Sequence, residues 1–408
     1  MRLNPKDTVK GSTLTKTGYR RFLKLGFPFE VLNRDLKLIF TSNLVGSFGD
    51  GLYAYILPYY ITENLNAGPV EVGILYAVVS LVAALTLLFA GMIADRYDRK
   101  KIMIAGWIAW IPAPLIFSFA TNWLQMLPGM VLWGFWLGGP TSTAYIVTAA
   151  DTKKLTLTFT ALSSAWSFGY IFSPALGGYM AEKVGMHIVF YIASLLYTLA
   201  CLTLIFIRSQ QAFGYAKQKS KEGGNSFLEL LKSEELLMFS LFFASIMFII
   251  MLFRPFVPQF LADIHGYGDF EIGVFGSIAF FGSAVLGLLL GKVGDKWRKS
   301  YALAASMLLC SFSLALLLLF GNFHILTFAF FFIGSSYLTW SLMGAIVGSV
   351  APEHIRARWI SIPQTVTMFS SIIAPYIGGV LYNISPYYPF TLAIAATAAL
   401  ALLTFKKF

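Results

Sequence analysis

Two ionisable residues lie inside long apolar runs and are the first candidates for chemistry. Asp50 lies in the glycine-rich segment 46–51, and Arg254 immediately precedes a proline in the second half of the chain. A charged side chain within an apolar helix is costly and commonly has a binding or coupling role. Two interpretations are open. Asp50 exchanges a proton as its distance from Arg254 changes, or the two charges face each other, neutralise each other and order the helices.

A second group of charges forms a motif that occurs twice. The segment 91–101 reads Gly-Met-Ile-Ala-Asp-Arg-Tyr-Asp-Arg-Lys-Lys, and the segment 291–299 reads Gly-Lys-Val-Gly-Asp-Lys-Trp-Arg-Lys. The glycines allow close helix contact, and Asp95 is predicted to face the positive N-terminus of another helix. We expect basic residues of the motif to pair with Asp151 in the first half and with Glu353 in the second.

The sequence offers no constellation for catalysis or metal binding. Its four histidines fall at or near predicted loops, and Cys201 and Cys310 stand about a hundred residues apart without a metal-ligand spacing. No glycine-rich phosphate loop followed by Lys and Ser or Thr is present, which argues against ATP as the energy source. We therefore expect neither an enzyme nor a bound cofactor or metal.

Composition identifies a membrane protein. The 408 residues are 57% hydrophobic and 12% charged, with a mean hydropathy of +0.72, whereas a soluble domain carries about 25% charged residues. The net charge of +11 could indicate nucleic acid or anionic lipid as a partner. Because the basic residues flank the apolar runs, lipid is expected and nucleic acid is not.

The apolar runs predict twelve membrane-spanning helices, since a bilayer core of about 30 Å needs about 20 apolar residues per helix. The predicted spans are 37–62, 71–92, 101–120, 123–149, 156–181, 186–207, 236–262, 271–292, 300–320, 324–349, 357–382 and 386–405.

The distribution of Lys and Arg predicts the orientation. On this assignment only Lys183 falls in an outer loop and only Arg254 within a span, so both termini are expected in the cytoplasm of a multi-pass plasma-membrane protein. Residues 1–36 are then a basic cytoplasmic tail, 37–207 and 236–408 two six-helix bundles, and 208–235 a cytoplasmic linker with a short interfacial helix.

An internal repeat relates the two bundles. Pro58 matches Pro258, and the tripeptide at 71–73 matches that at 271–273, each at an offset of 200 residues. The same offset aligns Ala54 with Arg254, about one helical turn from Asp50. The fold class is therefore all-α, with two pseudo-symmetric six-helix bundles and a site expected between them.

The motif at 91–101, its copy, the span count and the long central loop resemble the major facilitator superfamily over essentially the whole chain. The resemblance implies that the repeated motif is a latch of the cytoplasmic side, in which Asp95 meets the start of the eleventh span near Arg356 and Arg358. The predicted gating residues are Gly91, Asp95, Arg96, Arg99, Asp151, Gly291, Asp295, Lys296, Glu353, Arg356 and Arg358. Segment 169–178 is similar to a motif of the exporter branch, although Ser173 replaces a glycine, and the fourth span lacks an arginine that many drug–proton antiporters carry. Since a related segment recurs in the eleventh span, these residues are also expected to serve helix packing: Gly169, Pro174, Gly177, Gly178, Pro375, Gly378 and Gly379.

The resemblance also places a substrate cavity among spans one, four, five, seven, ten and eleven. Candidate lining residues are Asn43, Ser47, Trp133, Trp166, Tyr170, Gln259, Tyr337, Trp340, Gln364 and Met368. Aromatic rings and few polar groups favour an amphipathic or aromatic solute. The predicted function is proton-coupled efflux of such a molecule by a monomeric transporter that works by alternating access. The alternative is proton-coupled uptake or facilitated transport of a polar nutrient such as a sugar or organic acid.

Overall fold

The computed structural model describes residues 31–94, 96–151, 154–211, 233–350 and 356–407, and these residues form helices without any strand. The helices of the first half are α1 (Arg34–Ala54), α2 (Leu57–Leu65), α3 (Pro69–Ala94), α4 (Arg99–Trp110), α5 (Pro112–Phe119), α6 (Leu127–Trp133), α7 (Gly138–Ala149), α8 (Leu155–Val184) and α9 (Met186–Ile205). Those of the second half are α10 (Glu234–Phe253), α11 (Val257–His265), α12 (Asp269–Lys296), α13 (Lys299–Leu319), α14 (Phe323–Ile333), α15 (Thr339–Val350), α16 (Arg356–Ile384) and α17 (Tyr388–Lys407).

Several predicted spans are broken rather than continuous. The first and seventh predicted spans are each divided into two helices, and a proline lies in the first turn of the second helix: Pro58 in α2 and Pro258 in α11. Proline lacks a backbone N–H and cannot continue the hydrogen-bond ladder. Both segments end on a left-handed residue, Asn66 with φ 51° and Gly266 with φ 72°. The 200-residue repeat of the sequence is therefore also a repeat of local structure.

The chain crosses the bundle back and forth, so that helix ends meet at two sides. We call the side where α1 begins the tail end, and the other side the opposite end. At the tail end, the Asn33 side chain donates to the Ala149 carbonyl at 2.8 Å, and Lys100 Nζ donates to the Ile205 carbonyl at 2.6 Å. Each bond satisfies a carbonyl at the C-terminus of a helix, where the last carbonyls lack partners within the helix.

Four glycines close the seam between the halves at the opposite end. The halves meet where α3 packs against α16 and α8 against α12. A Cβ on Gly73 would overlap the Pro375 backbone, and one on Gly273 would overlap the Pro174 backbone. Gly178 lies in the same way against Asp269, and Gly379 against Pro69. Backbone thus touches backbone across the seam, as small residues permit between membrane helices.

The neighbouring glycines of the two pairs face inward. A Cβ on Gly177 would overlap the Leu52 carbonyl of α1, and one on Gly378 the Leu252 carbonyl of α10. Consecutive helical residues point about 100° apart, because a turn takes 3.6 residues. Each Gly-Gly pair therefore serves two contacts, one within its half and one across the seam.

Nine helical stretches in the described part of the chain are long and apolar enough to cross a membrane. The predicted spans without such a match are 37–62, 123–149 and 156–181. The predicted interfacial helix falls largely in 212–232, and most of the predicted tail in 1–30, both outside the described residues.

Candidate functional site

Asp50 lies in a cage of aromatic donors in the middle of the first half. Its side chain is 3% exposed. Oδ1 accepts hydrogen bonds from Trp133 Nε1 at 2.8 Å, from the Tyr53 hydroxyl at 3.3 Å and from the Tyr197 hydroxyl, and Oδ2 accepts one from the Tyr170 hydroxyl. The hydroxyls of Tyr53 and Tyr197 are 2.9 Å apart. Among the described residues, no Lys, Arg or His forms an ion pair with this carboxylate.

Four helices of one half bring these donors together. Tyr53 follows Asp50 by three residues on α1 and therefore lies on the same face. Trp133 is the last residue of α6, Tyr170 lies on α8 and Tyr197 on α9. Close approach of α8 to α1 depends on Gly169, where a Cβ would overlap the Ser47 side chain. The cage is thus a product of packing within the first half.

Arg254 occupies the break between α10 and α11. It begins a short 3₁₀ segment, Arg254–Phe256, in which Pro255 interrupts the α-helix. Nη2 donates to the Ser336 carbonyl at 3.3 Å, and the guanidinium carbon lies 4.3 Å from the centre of the Tyr337 ring. Nε is buried without a hydrogen-bond partner. In the part of the chain that is described, no carboxylate pairs with Arg254.

The structure does not pair the two intramembrane charges, contrary to the expectation that they face each other. All of the hydrogen-bond partners of Asp50 belong to the first half, and those of Arg254 belong to the second. Hydroxyl and indole donors satisfy the carboxylate locally, while a carbonyl and an aromatic face take up the guanidinium. Each charge therefore has its own setting in its own half.

A row of aromatic rings connects the two settings. The Tyr170 ring centre lies 4.6 Å from that of Phe280, and the Phe280 ring centre lies 4.8 Å from that of Tyr337. Tyr55 meets Phe280 edge-on at 6.4 Å. Trp166 stacks on Tyr170 at 6.3 Å. Because Tyr170 belongs to the first half and Phe280 to the second, the row crosses the seam between the halves.

A separate cavity of about 220 Å³ lies on the tail-end side of Asp50 within the first half. Its lining comes from α1, α4, α7 and α8 and from the residues before α7, and it combines six aromatic side chains with aliphatic residues, glycines and a few polar groups. Members include Asn43, Trp107, Trp110, Phe135, Trp136, Ser142, Thr143, Ser163 and Trp166. The predicted candidates Asn43 and Trp166 thus line a space that the α4 tryptophans also border.

The other predicted cavity residues fall into two groups. Ser47 is a packing residue, since its hydroxyl donates to the Leu44 carbonyl at 3.1 Å and its side chain lies against Gly169. Gln259 is 4% exposed, and its Oε1 lacks a partner. Half-buried positions on α15 and α16 hold the remainder: Trp340, Gln364 and Met368.

The repeated charged motif contacts helix ends within each half. Arg99 Nη1 donates to the Ala144 carbonyl at 3.0 Å and to the Thr148 hydroxyl at 2.6 Å, near the end of α7. Lys299 Nζ donates to the Ala345 carbonyl on α15 at 3.0 Å. These are equivalent contacts in the two halves, because they lie at nearly the offset of the internal repeat. Both cations lie against helix C-termini, where the helix dipole favours them.

The remaining predicted gating residues are exposed or lie outside the description. Arg96, Asp151, Asp295 and Lys296 are exposed, and a Cβ on Gly291 would meet nothing within 4 Å. Asp95 and Glu353 fall outside the described residues, as do the side chains of Arg356 and Arg358 and the surroundings of Gly91. The predicted latch is therefore still a prediction.

Sequence reasoning missed half of the Asp50 cage, Tyr53 and Tyr197, and two members of the aromatic row, Tyr55 and Phe280. Tyr53 could have been found, since a tyrosine three residues from an intramembrane aspartate shares its helical face. Tyr197 had no signal, because span six was not expected to line the site. No sequence signal marked Phe280 or Tyr55 either, since phenylalanine and tyrosine occur throughout the apolar runs.

Comparison with known proteins identifies the class and then the family. The helical stretches and the two-half architecture define a multi-pass membrane protein. The sequence model of the Major Facilitator Superfamily matches residues 39–256 and 237–408. The chain belongs to this superfamily, and it is a transporter rather than an enzyme.

Relatives by sequence are proteins of drug resistance. The chain is 25% identical over 375 residues to Multidrug resistance protein 2 of Bacillus subtilis, covering 87% of this chain and 91% of the relative. It is 24% identical over 383 residues to Quinolone resistance protein NorA of Staphylococcus aureus, covering 90% and 95%.

Solved structures share the fold at low identity. The nucleoside transporter NupG superposes with a TM-score of 0.76 at 14% identity, over 92% of this chain and 100% of that one. A bacterial homologue of the lysosomal transporter Spinster, in an inward-facing and unoccupied conformation, gives 0.66 at 17% identity over 93% of each.

Proposed function

We propose that this protein is a proton-coupled exporter of small aromatic, amphipathic molecules that works by alternating access of its two halves. The observation that carries the proposal is the Asp50 cage. A carboxylate buried among apolar helices normally needs a cation, and here its partners are three tyrosines and one tryptophan.

Such a cage accommodates Asp50 in both protonation states. A tyrosine hydroxyl can donate or accept a hydrogen bond, whereas Lys and Arg only donate. The ionised carboxylate accepts from all four neighbours. After protonation it can donate to one tyrosine oxygen, while Trp133 continues to donate to Oδ1. The Tyr53 and Tyr197 hydroxyls are 2.9 Å apart, so the proton of one can turn from Oδ1 to the oxygen of the other and still have an acceptor.

The scaffold supports alternation between two sides. At the opposite end the seam is closed by contacts between glycines and backbone. Such contacts can separate without any rearrangement of interlocked side chains. We assign the tail end to the cytoplasm from the distribution of basic residues. The chain would cross the plasma membrane twelve times as a monomer, with the three further crossings made by α1–α2, by α6–α7 with the preceding 3₁₀ turn, and by α8. Export is favoured by the drug-resistance relatives.

Reconstituted protein tests this function. Proteoliposomes with an imposed pH gradient are loaded with ethidium or 1-naphthalenesulfonate, two aromatic probes of opposite charge. Wild type should move at least one probe against the direction of the proton gradient. Asp50→Asn should keep probe binding and lose the stimulation by the gradient, because the amide cannot exchange a proton.

Asp263→Asn is the matched control. Asp263 also accepts a hydrogen bond from a tyrosine, Tyr382 at 2.9 Å, but it is exposed near the opposite end. It should behave like wild type. Undiminished gradient stimulation in Asp50→Asn would reject the coupling role, and movement of probe together with protons would favour the uptake alternative.

A further inference from the structure

Arg254 is a cation at the middle of the bundle whose bonding capacity is largely unused. The guanidinium has five N–H donors, and within the described ranges it makes one hydrogen bond, to the Ser336 carbonyl at 3.3 Å. Nε is buried and has no partner among those residues. The residue as a whole is only half-buried, so part of it is accessible. An intramembrane cation in this position calls for an anion.

The aromatic row supplies a neighbouring surface for a planar ring. Tyr337 lies directly beneath the guanidinium at 4.3 Å, and Phe280 follows it at 4.8 Å. All three side chains are half-buried rather than closed off. Unsatisfied polar atoms beside an aromatic surface are the pattern of a ligand site.

The internal repeat shows that this cation is specific to one half. The equivalent position in the first half is Ala54, and the first half carries its own charge, Asp50, in a cage that is already satisfied. The repeat therefore offers a ligand anion a cation at this position in the second half and none at the equivalent position of the first. Since the anion site lies in one half and the proton site in the other, the two need not compete for the same group.

We propose that Arg254, with Tyr337 and Phe280, binds the anionic group of a planar aromatic substrate, such as an aryl sulfonate or aryl carboxylate. This inference rests on the proposed function and specifies its substrate class. The guanidinium fork bonds two oxygens of a carboxylate or sulfonate, and the rings hold the aromatic body.

The test compares two probes that differ in charge alone. Binding of 1-naphthalenesulfonate and of the neutral 1-naphthalenesulfonamide to the purified full-length protein is measured by titration calorimetry. Wild type should bind the sulfonate at least about tenfold more tightly, since charge-assisted bidentate bonds are the strong ones. Arg254→Gln should bind both equally. Arg254→Lys should give an intermediate preference, because it keeps the charge and loses the planar fork.

Two further variants separate charge from ring contact. Phe280→Leu should weaken the binding of both probes to the same degree and leave the ratio of their affinities unchanged. Arg298→Gln, which removes an exposed cation of the same half, should match wild type. The melting temperature without ligand shows whether each variant is folded. If Arg254→Gln does not fold, the loss of preference is read from Arg254→Lys, and a wild-type ratio near one counts against the proposal without any variant.

A wild-type ratio near one, or a preference that survives in Arg254→Gln, overturns the proposal. Equal binding of sodium sulfate and the naphthalenesulfonate would assign the site to inorganic anions, and overturns it as well. These outcomes differ from failure of the proposed function. If ethidium is still transported against the direction of the proton gradient, the protein is a coupled exporter and only the anion assignment is wrong.

Discussion

Gly177 and Gly178 are neighbours on α8, and we expect their substitution by alanine to have different consequences. Gly178 lies against the Asp269 backbone of the other half, and Gly177 against the Leu52 carbonyl of its own half. In each case the added Cβ would lie closer than 3.0 Å to a backbone atom, inside ordinary contact at 3.4–4 Å. Backbone cannot rotate away as a flexible side chain does, so the helices must separate.

Overpacking of this kind costs about 1–3 kcal/mol. In Gly178→Ala the cost falls only on conformations in which the seam is closed, so the equilibrium between closed and open should shift about 5- to 150-fold. In Gly177→Ala the cost falls on the folded half in every conformation. It should lower the melting temperature and leave the equilibrium unchanged.

Pulsed electron paramagnetic resonance distinguishes the two outcomes. Spin labels at Glu182→Cys and Asn383→Cys, both exposed near the opposite end in different halves, report the width of the seam. Gly178→Ala should populate longer distances, and Gly177→Ala should not. Gly344→Ala is the control, because its Cβ would meet nothing within 4 Å. The reasoning is refuted if Gly178→Ala leaves the distances unchanged and merely lowers the melting temperature as Gly177→Ala does.

Two other substitutions test the site and its support. Tyr170→Phe keeps the ring and removes a hydrogen-bond donor, which stabilises the ionised carboxylate of Asp50 by about 1.5–3 kcal/mol. The pH profile of transport should therefore move by about one to two pH units, while the affinity for the probe stays unchanged. An unmoved pH profile contradicts the cage as the proton site. Arg99→Gln removes two hydrogen bonds to α7, and Lys299→Gln removes one hydrogen bond to α15. The first substitution should therefore lower the melting temperature more than the second. Equal decreases in melting temperature would contradict the capping role.

Much of the architecture could be predicted from the sequence, because periodic features carry it. The repeat at an offset of 200 residues aligned Pro58 with Pro258, and the structure has equivalent helix breaks at these two prolines, although the spans were predicted as continuous. Long apolar runs predicted the helical stretches. The segments 37–62, 123–149 and 156–181 have no match among these stretches, and each of them contributes residues to the Asp50 cage or to the cavity.

The site was harder to predict, because side-chain packing decides it. Asp50 and Arg254 were identified from their cost in an apolar helix, and their pairing was expected from their similar depth. Depth alone does not determine a partner. Tyr197 reaches Asp50 from a helix that sequence reasoning placed away from the cavity, and no local pattern marks one tyrosine among 20.

Within the cage, Tyr170 has a distinct position. Tyr53 and Tyr197 make their ring contacts with aromatic residues of the first half, and so does Trp133. The Tyr170 ring contacts Phe280 of the second half, while its hydroxyl bonds Asp50. A change in the protonation of Asp50 therefore alters a bond of the one cage residue that also touches the other half. Since Phe280 continues to Tyr337 beneath Arg254, this row gives a physical route by which a proton in one half could be sensed by a ligand in the other.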